Sequence, residues 1–135
     1  MADFESNTAH TWEEVKNYLV QKFKATESDK GLKVVFDIDA QRSQLVVVQP
    51  LQVKDTLYAN VLSRIGAIPT NRLPEALDFM ARMIYGSLVY SDGIYFFKIT
   101  LDMNYTPLGE LSNLVMFAAK VTDDLEKEFV GGDKN

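Results

Sequence analysis

Residues 87–103 read SLVYSDGIYFFKITLDM, and the fold turns on how this stretch is read. Ser91-Asp92-Gly93 supplies turn chemistry between two strand-forming runs, because Gly93 adopts positive φ without penalty. The stretch therefore reads as a β-hairpin. Its second strand is apolar on both sides, with Ile94 and Phe96 on one and Tyr95, Phe97, Ile99 and Leu101 on the other. A strand in a two-layer domain needs only one apolar face. The surplus pair, Ile94 and Phe96, calls for a cover.

Upstream, Thr11-Trp12-Glu13-Glu14 fits a capping box, and Trp12, Val15, Leu19 and Phe23 form one helical stripe ending near Lys24. Leu32, Val34, Phe36 and Ile38 alternate with Lys33, Val35, Asp37 and Asp39, which is strand periodicity. The polar run Ala40–Gln44 separates them from Leu45-Val46-Val47-Val48, apolar on both faces, and the two strands form an antiparallel pair. Leu57–Ile65 fits helix and strand periodicity equally; Gly66 and Pro69 stop either. Pro74 opens a second helix with the stripe Leu73, Ala76, Leu77, Met80, Ala81 and Ile84, widened by Phe79 and Met83 and ended by Gly86. Thr106 as N-cap and Pro107 at the first helical position start a long last helix carrying Leu111, Leu114, Val115, Ala118, Val121, Leu125 and Phe129. The order is α-β-β-(β or α)-α-β-β-α, an α+β domain on an antiparallel sheet. Residues 1–10 and 131–135 lack periodicity and read as flexible ends around a single domain at 11–130.

Composition narrows the function. The 135 residues match one domain, and 47% are apolar, enough for a core. With no cysteine, disulfides, thiolate catalysis and zinc–sulfur sites are excluded. The net charge of −5, from 14 basic and 19 acidic residues, argues against nucleic acid and anionic membrane as partners. The polar, acidic start MADFESNTAHTWEE has no basic block followed by an apolar one, so a cytoplasmic protein is expected.

Catalytic chemistry is sparse. The one histidine, His10, precedes a helix cap and reads as solvated. Asp37 and Asp39 share a strand face and read as solvent-facing rather than metal-holding; Asp123-Asp124 reads as the outward side of the last helix. No dinucleotide, phosphate-loop or G-x-S-x-G motif is present. No catalytic residue, metal ligand or cofactor is assigned. A pocket among Tyr90, Tyr95, Tyr105 and the carboxylates, serving a small-ligand regulator or a cryptic enzyme, is the competing reading.

The element order, with residues 85–96 (YGSLVYSDGIYF) running from a helix exit into the hairpin, resembles the type III secretion chaperone-like fold, including the YbjN-like bacterial proteins and related cyanobacterial ones. The resemblance extends from about Thr11 to Phe129. It implies that Leu57–Ile65 is a strand, giving five antiparallel strands and three helices in the order α-β-β-β-α-β-β-α, with the first and last helices on one sheet face. It also implies a non-enzymatic chaperone or assembly adaptor holding a client protein segment, with a possible homodimer. A subunit buried in a larger complex is a further possibility. The expected partner-binding residues are Val46, Val48, Phe79, Met83, Ile94 and Phe96, unless the middle helix covers that face through Phe79 and Met83.

Overall fold

The computed structural model describes residues 10–130; the two ends read above as flexible lie outside them, apart from His10. Helix α1 (Trp12–Lys22) begins at the expected capping box, where the Glu14 amide donates to Thr11 Oγ1 at 3.1 Å and the Thr11 amide donates to Glu14 Oε1 at 3.0 Å. It is followed by β1 (Ala25–Ser28), β2 (Gly31–Asp39), β3 (Arg42–Val53) and β4 (Thr56–Gly66). A 3₁₀ turn (Thr70–Arg72) leads into α2 (Leu73–Ala81), then β5 (Ser87–Ser91), β6 (Ile94–Asp102) and α3 (Leu108–Leu125), which closes in a π-turn (Glu126–Val130).

The sheet has six strands, in the order β1-β2-β3-β4-β6-β5, all antiparallel. The sixth is β1, a short edge strand that the expected count of five omits. Its sequence Ala-Thr-Glu-Ser has no apolar alternation. What makes it a strand is pairing with β2, from Ala25 opposite Val34 to Ser28 opposite Gly31. Lys16 Nζ on α1 donates to Glu27 at 2.6 Å, and that bond raises the lysine pKa above its ordinary value. Leu57–Ile65 is extended within β4, and the hairpin turns at Asp92 and Gly93, both with positive φ.

One sheet face packs on the helices. Across it run Val34, Val46, Ser63 and Phe97, and beside them Leu32, Val48, Val61 and Ile99. They meet Val15 and Leu19 of α1 and the stripe Leu111, Leu114, Val115, Ala118, Val121 and Leu125 of α3, all buried. Phe97 packs on Phe117 of α3 at 6.2 Å between ring centroids, and Phe23 meets Phe36 edge-on at 5.0 Å.

The middle helix joins this layer. Phe79 packs edge-on against Phe129 at 6.1 Å, and the Arg72 guanidinium lies 4.9 Å from the same ring. It stops at Ala81, short of Gly86, and turns only Ala76 fully inward. Leu77 and Ile84, expected in its buried stripe, are exposed, Ile84 by 87%. The helix settles on its Phe79/Met80/Met83 side because Phe129 and the core lie there.

Three smaller expectations are corrected. Pro107 itself caps α3, while Thr106 is buried and donates its hydroxyl to the Asp102 carbonyl at 2.8 Å. Asp123 is 1% exposed and pairs with Arg42 at the start of β3. His10 is held down: its amide donates to the Met103 carbonyl at 3.2 Å and its side chain is 12% exposed.

Candidate protein-binding face

The site is the other face of the sheet. Strand alternation sends Lys33 and Val35 of β2, Leu45 and Val47 of β3, Leu62 and Arg64 of β4, Phe96 and Lys98 of β6, and Ser87 and Val89 of β5 to this side. Pairing arranges them in two rows across the strands. One runs Val35–Leu45–Arg64–Phe96–Val89, the next Lys33–Val47–Leu62–Lys98–Ser87. Below them the face turns polar, with Gln49, Asn60 and Thr100, the last donating to Asn60 Oδ1 at 2.7 Å.

Among the described residues no helix packs on these rows. Val35 and Leu45 are about two fifths exposed, and Val47, Leu62 and Phe96 are half-buried. The apolar residues line a trough of about 500 Å³, rimmed by Lys30, Lys33 and Arg64 with Glu126. Phe96 thus sits as the hairpin alternation implies, on the side away from α1 and α3. Ile94 shares its side of the strand but lies at the hairpin tip, opposite Ser91 and beyond the last β4 partner.

Val46 and Val48 are corrected. Both are 0% exposed and lie in the core rows with Phe97 and Ile99, so no partner reaches them in the folded chain. The outward pair of that strand is Leu45 and Val47, which the sequence reading passed over. A run apolar on both faces does not say which set is which; the register against β4 decides it. Phe79 and Met83 also part company with Phe96, since both pack against the core on the helix layer. The middle helix therefore does not cover the open face.

The three tyrosines of the small-ligand reading do not converge. Tyr90 and Tyr95 meet across the hairpin with ring centroids 4.9 Å apart and planes tilted by 55°, but Tyr105 is exposed beyond the far end of β6. Nine strand residues at about 3.3 Å each separate the two ends. Asp37 lies 3.8 Å from Lys24, and Asp39 accepts the Gln41 amide at 2.9 Å; among the described residues no group of three potential metal ligands assembles.

Behind one end of the trough lies a buried polar cluster. Gln44 Nε2 donates to Ser63 Oγ and to the Arg64 carbonyl, both at 3.3 Å, and Ser63 Oγ donates to the Leu45 carbonyl at 2.7 Å. Arg42 reaches Asp123, and this hydrogen bond raises the guanidinium pKa above its ordinary value. These bonds tie β3 and β4 to α3 where the sheet bulges between Arg64 and Gly66. They hold the strands that carry Leu45 and Arg64.

Further apolar side chains are exposed on α2, the loop after it and β5, where Ile84 and Tyr85 line a hollow with Val89 and Ile99–Leu101 of β6. Leu77 of α2, Ile84 and Tyr85 of the loop and Tyr90 of the edge strand are all exposed.

No protein-family model matches the chain, and no curated protein matches it in sequence. Among solved structures it is similar to the Yersinia pestis type III secretion chaperone SycH, in a complex with a stable fragment of YscM2, with a TM-score of 0.60 and 12% identity. The match covers 85% of this chain and 99% of that one. At that identity the likeness establishes a chaperone-like fold.

Proposed function

We propose that this chain is a non-enzymatic protein-binding module, a small cytosolic chaperone or assembly adaptor that holds a segment of a client protein on its open sheet face. One observation carries the reading: Leu45, Val47, Leu62 and Phe96 form a contiguous apolar patch that no helix of the described chain covers. Contiguous exposed apolar surface marks interaction sites in proteins otherwise able to bury it. Burying a fully exposed side chain of this kind contributes roughly 1.5–3 kcal/mol before the costs of association, and these partly buried ones contribute the fraction that is still exposed. The chaperone-like fold, in which SycH was crystallised with a fragment of another protein, supports the class of function.

The exposed side chains of Leu77, Ile84, Tyr85 and Tyr90, on α2, the loop after it and β5, favour a second contact, pairing of two copies along the β5 edge. An edge strand with apolar neighbours is a ready site for association.

Affinity capture with the wild-type chain and with Phe96→Asp tests the main reading. The expected result is loss of the captured client while circular dichroism and the thermal midpoint stay unchanged. A variant that captures the same client undiminished rules the face out.

A further inference from the structure

Resting on that reading, we infer that the occupant of the open face is an amphipathic helix carrying carboxylates at both ends of a short apolar stripe. Two observations lead there. The first is the order of side chains in the second row. It runs Lys33, Val47, Leu62, Lys98, a cation at each side of two apolar residues. Among the described residues neither lysine forms an ion pair, although the chain carries five more acidic than basic residues. Arg64 adds a third cation between Leu45 and Phe96 in the neighbouring row. Glu126 stands on the rim of the same trough, yet among the described residues no carboxylate lies within ion-pair distance of Lys33 or Lys98.

The second observation is what the face lacks. Along the second row Val47, Leu62 and Lys98 each have a strand partner on both sides, so the backbone beneath it is spent within the sheet; the free stretch of β6, Ile99–Asp102, lies beyond it. A segment lying on this face finds side chains and no backbone partners, and must satisfy its own amides and carbonyls. A helix does so internally; an extended strand does not. Lys33 and Lys98 stand three strand spacings apart, about 14 Å. At 1.5 Å per residue that span is about nine or ten helical residues, with room for apolar positions one and two turns in. A helix about 10 Å wide covers both rows.

Charge also discriminates among occupants. A second copy laid on this face across a two-fold axis would set Lys33, Arg64 and Lys98 against the same cations of its partner. A nucleic-acid strand would leave the apolar rows without a match and meet the repulsion of an acidic chain.

Fluorescence anisotropy with two labelled synthetic helices tests the inference. One peptide carries a Leu/Val stripe with Glu at each end of it; in the other both Glu are replaced by Lys. The full chain is expected to bind the Glu peptide about tenfold more tightly, with the margin shrinking as salt is added. In the Lys33→Glu/Lys98→Glu variant the preference is expected to invert. Leu62→Asp, with an unchanged thermal midpoint, is expected to lose both peptides. Equal affinity for the two peptides, still lost in Leu62→Asp, overturns the acidic occupant and leaves the protein-binding face standing. Failure to bind either peptide overturns the inference, and if client capture is also indifferent to Phe96→Asp, the proposed function falls with it. Two further results overturn it in favour of another occupant: tighter binding of phosphatidylglycerol vesicles than of the Glu peptide, or a large gain in peptide affinity on removing residues 1–9.

Discussion

Gly86 shows how much a single residue decides at the entry to the hairpin. Its φ is +98°, and a Cβ there would fall into the ring of Phe97, which is fully buried and cannot retreat. Gly86→Ala should therefore cost more than about 1 kcal/mol, combining backbone strain with a clash in the core. Gly93→Ala is the control, because its φ is +86° but a Cβ there meets nothing within 4 Å. Urea denaturation of the two variants should rank Gly86→Ala well below Gly93→Ala. Asp123 is a residue of the other kind, buried and held by Arg42, with Lys127 at 3.8 Å. Removing its carboxylate takes the nearest acid from the partly exposed Arg42 guanidinium and empties a site that is fully buried. Asp123→Ala should lower the thermal midpoint, and the Arg42→Met/Asp123→Leu double variant should recover part of the loss.

At the scale of elements, legibility followed the strength of local signals. α1 was readable to its first residue because capping box and stripe agree, and Thr11→Ala should cost about 1 kcal/mol by thermal or urea denaturation. The hairpin was readable because Asp92-Gly93 separates two alternating runs. β1 was hidden because its four residues are strand only by virtue of Val34, Lys33, Leu32 and Gly31 opposite them. For β4, periodicity left two answers, and only the resemblance chose between them. The open face was half legible. Phe96 was recognisable from alternation within its own strand, whereas Leu45 and Val47 were not. Their side of the sheet is set by register with Ser63, Leu62 and Val61, a long-range property that a run of four apolar residues does not encode locally. The middle helix misled for a related reason. Its stripe through Leu77 and Ile84 looks like core but faces outward, because the wide apolar arc offers two sides and Phe129 receives the other.

For the whole molecule, the two exposed apolar surfaces lie in different places and should separate by mutation. The open face belongs to the middle of the sheet, on β2, β3, β4 and β6, while Leu77, Ile84, Tyr85 and Tyr90 follow α2 and the β5 edge. If copies pair along the edge and a client lies on the face, each surface fails alone. Leu77→Asp/Ile84→Asp places two carboxylates on side chains already half or more exposed, so monomer stability should change by no more than about 0.5 kcal/mol per site. Light scattering should then report a single chain mass where the wild type reports two, and the affinity for client or peptide per chain should hold. Leu62→Asp should do the reverse, keeping the wild-type mass and losing the bound segment. A client lost together with the dimer in Leu77→Asp/Ile84→Asp would instead mean that the binding surface is completed by the second copy. That outcome would move the site from the middle of the sheet to the junction between chains.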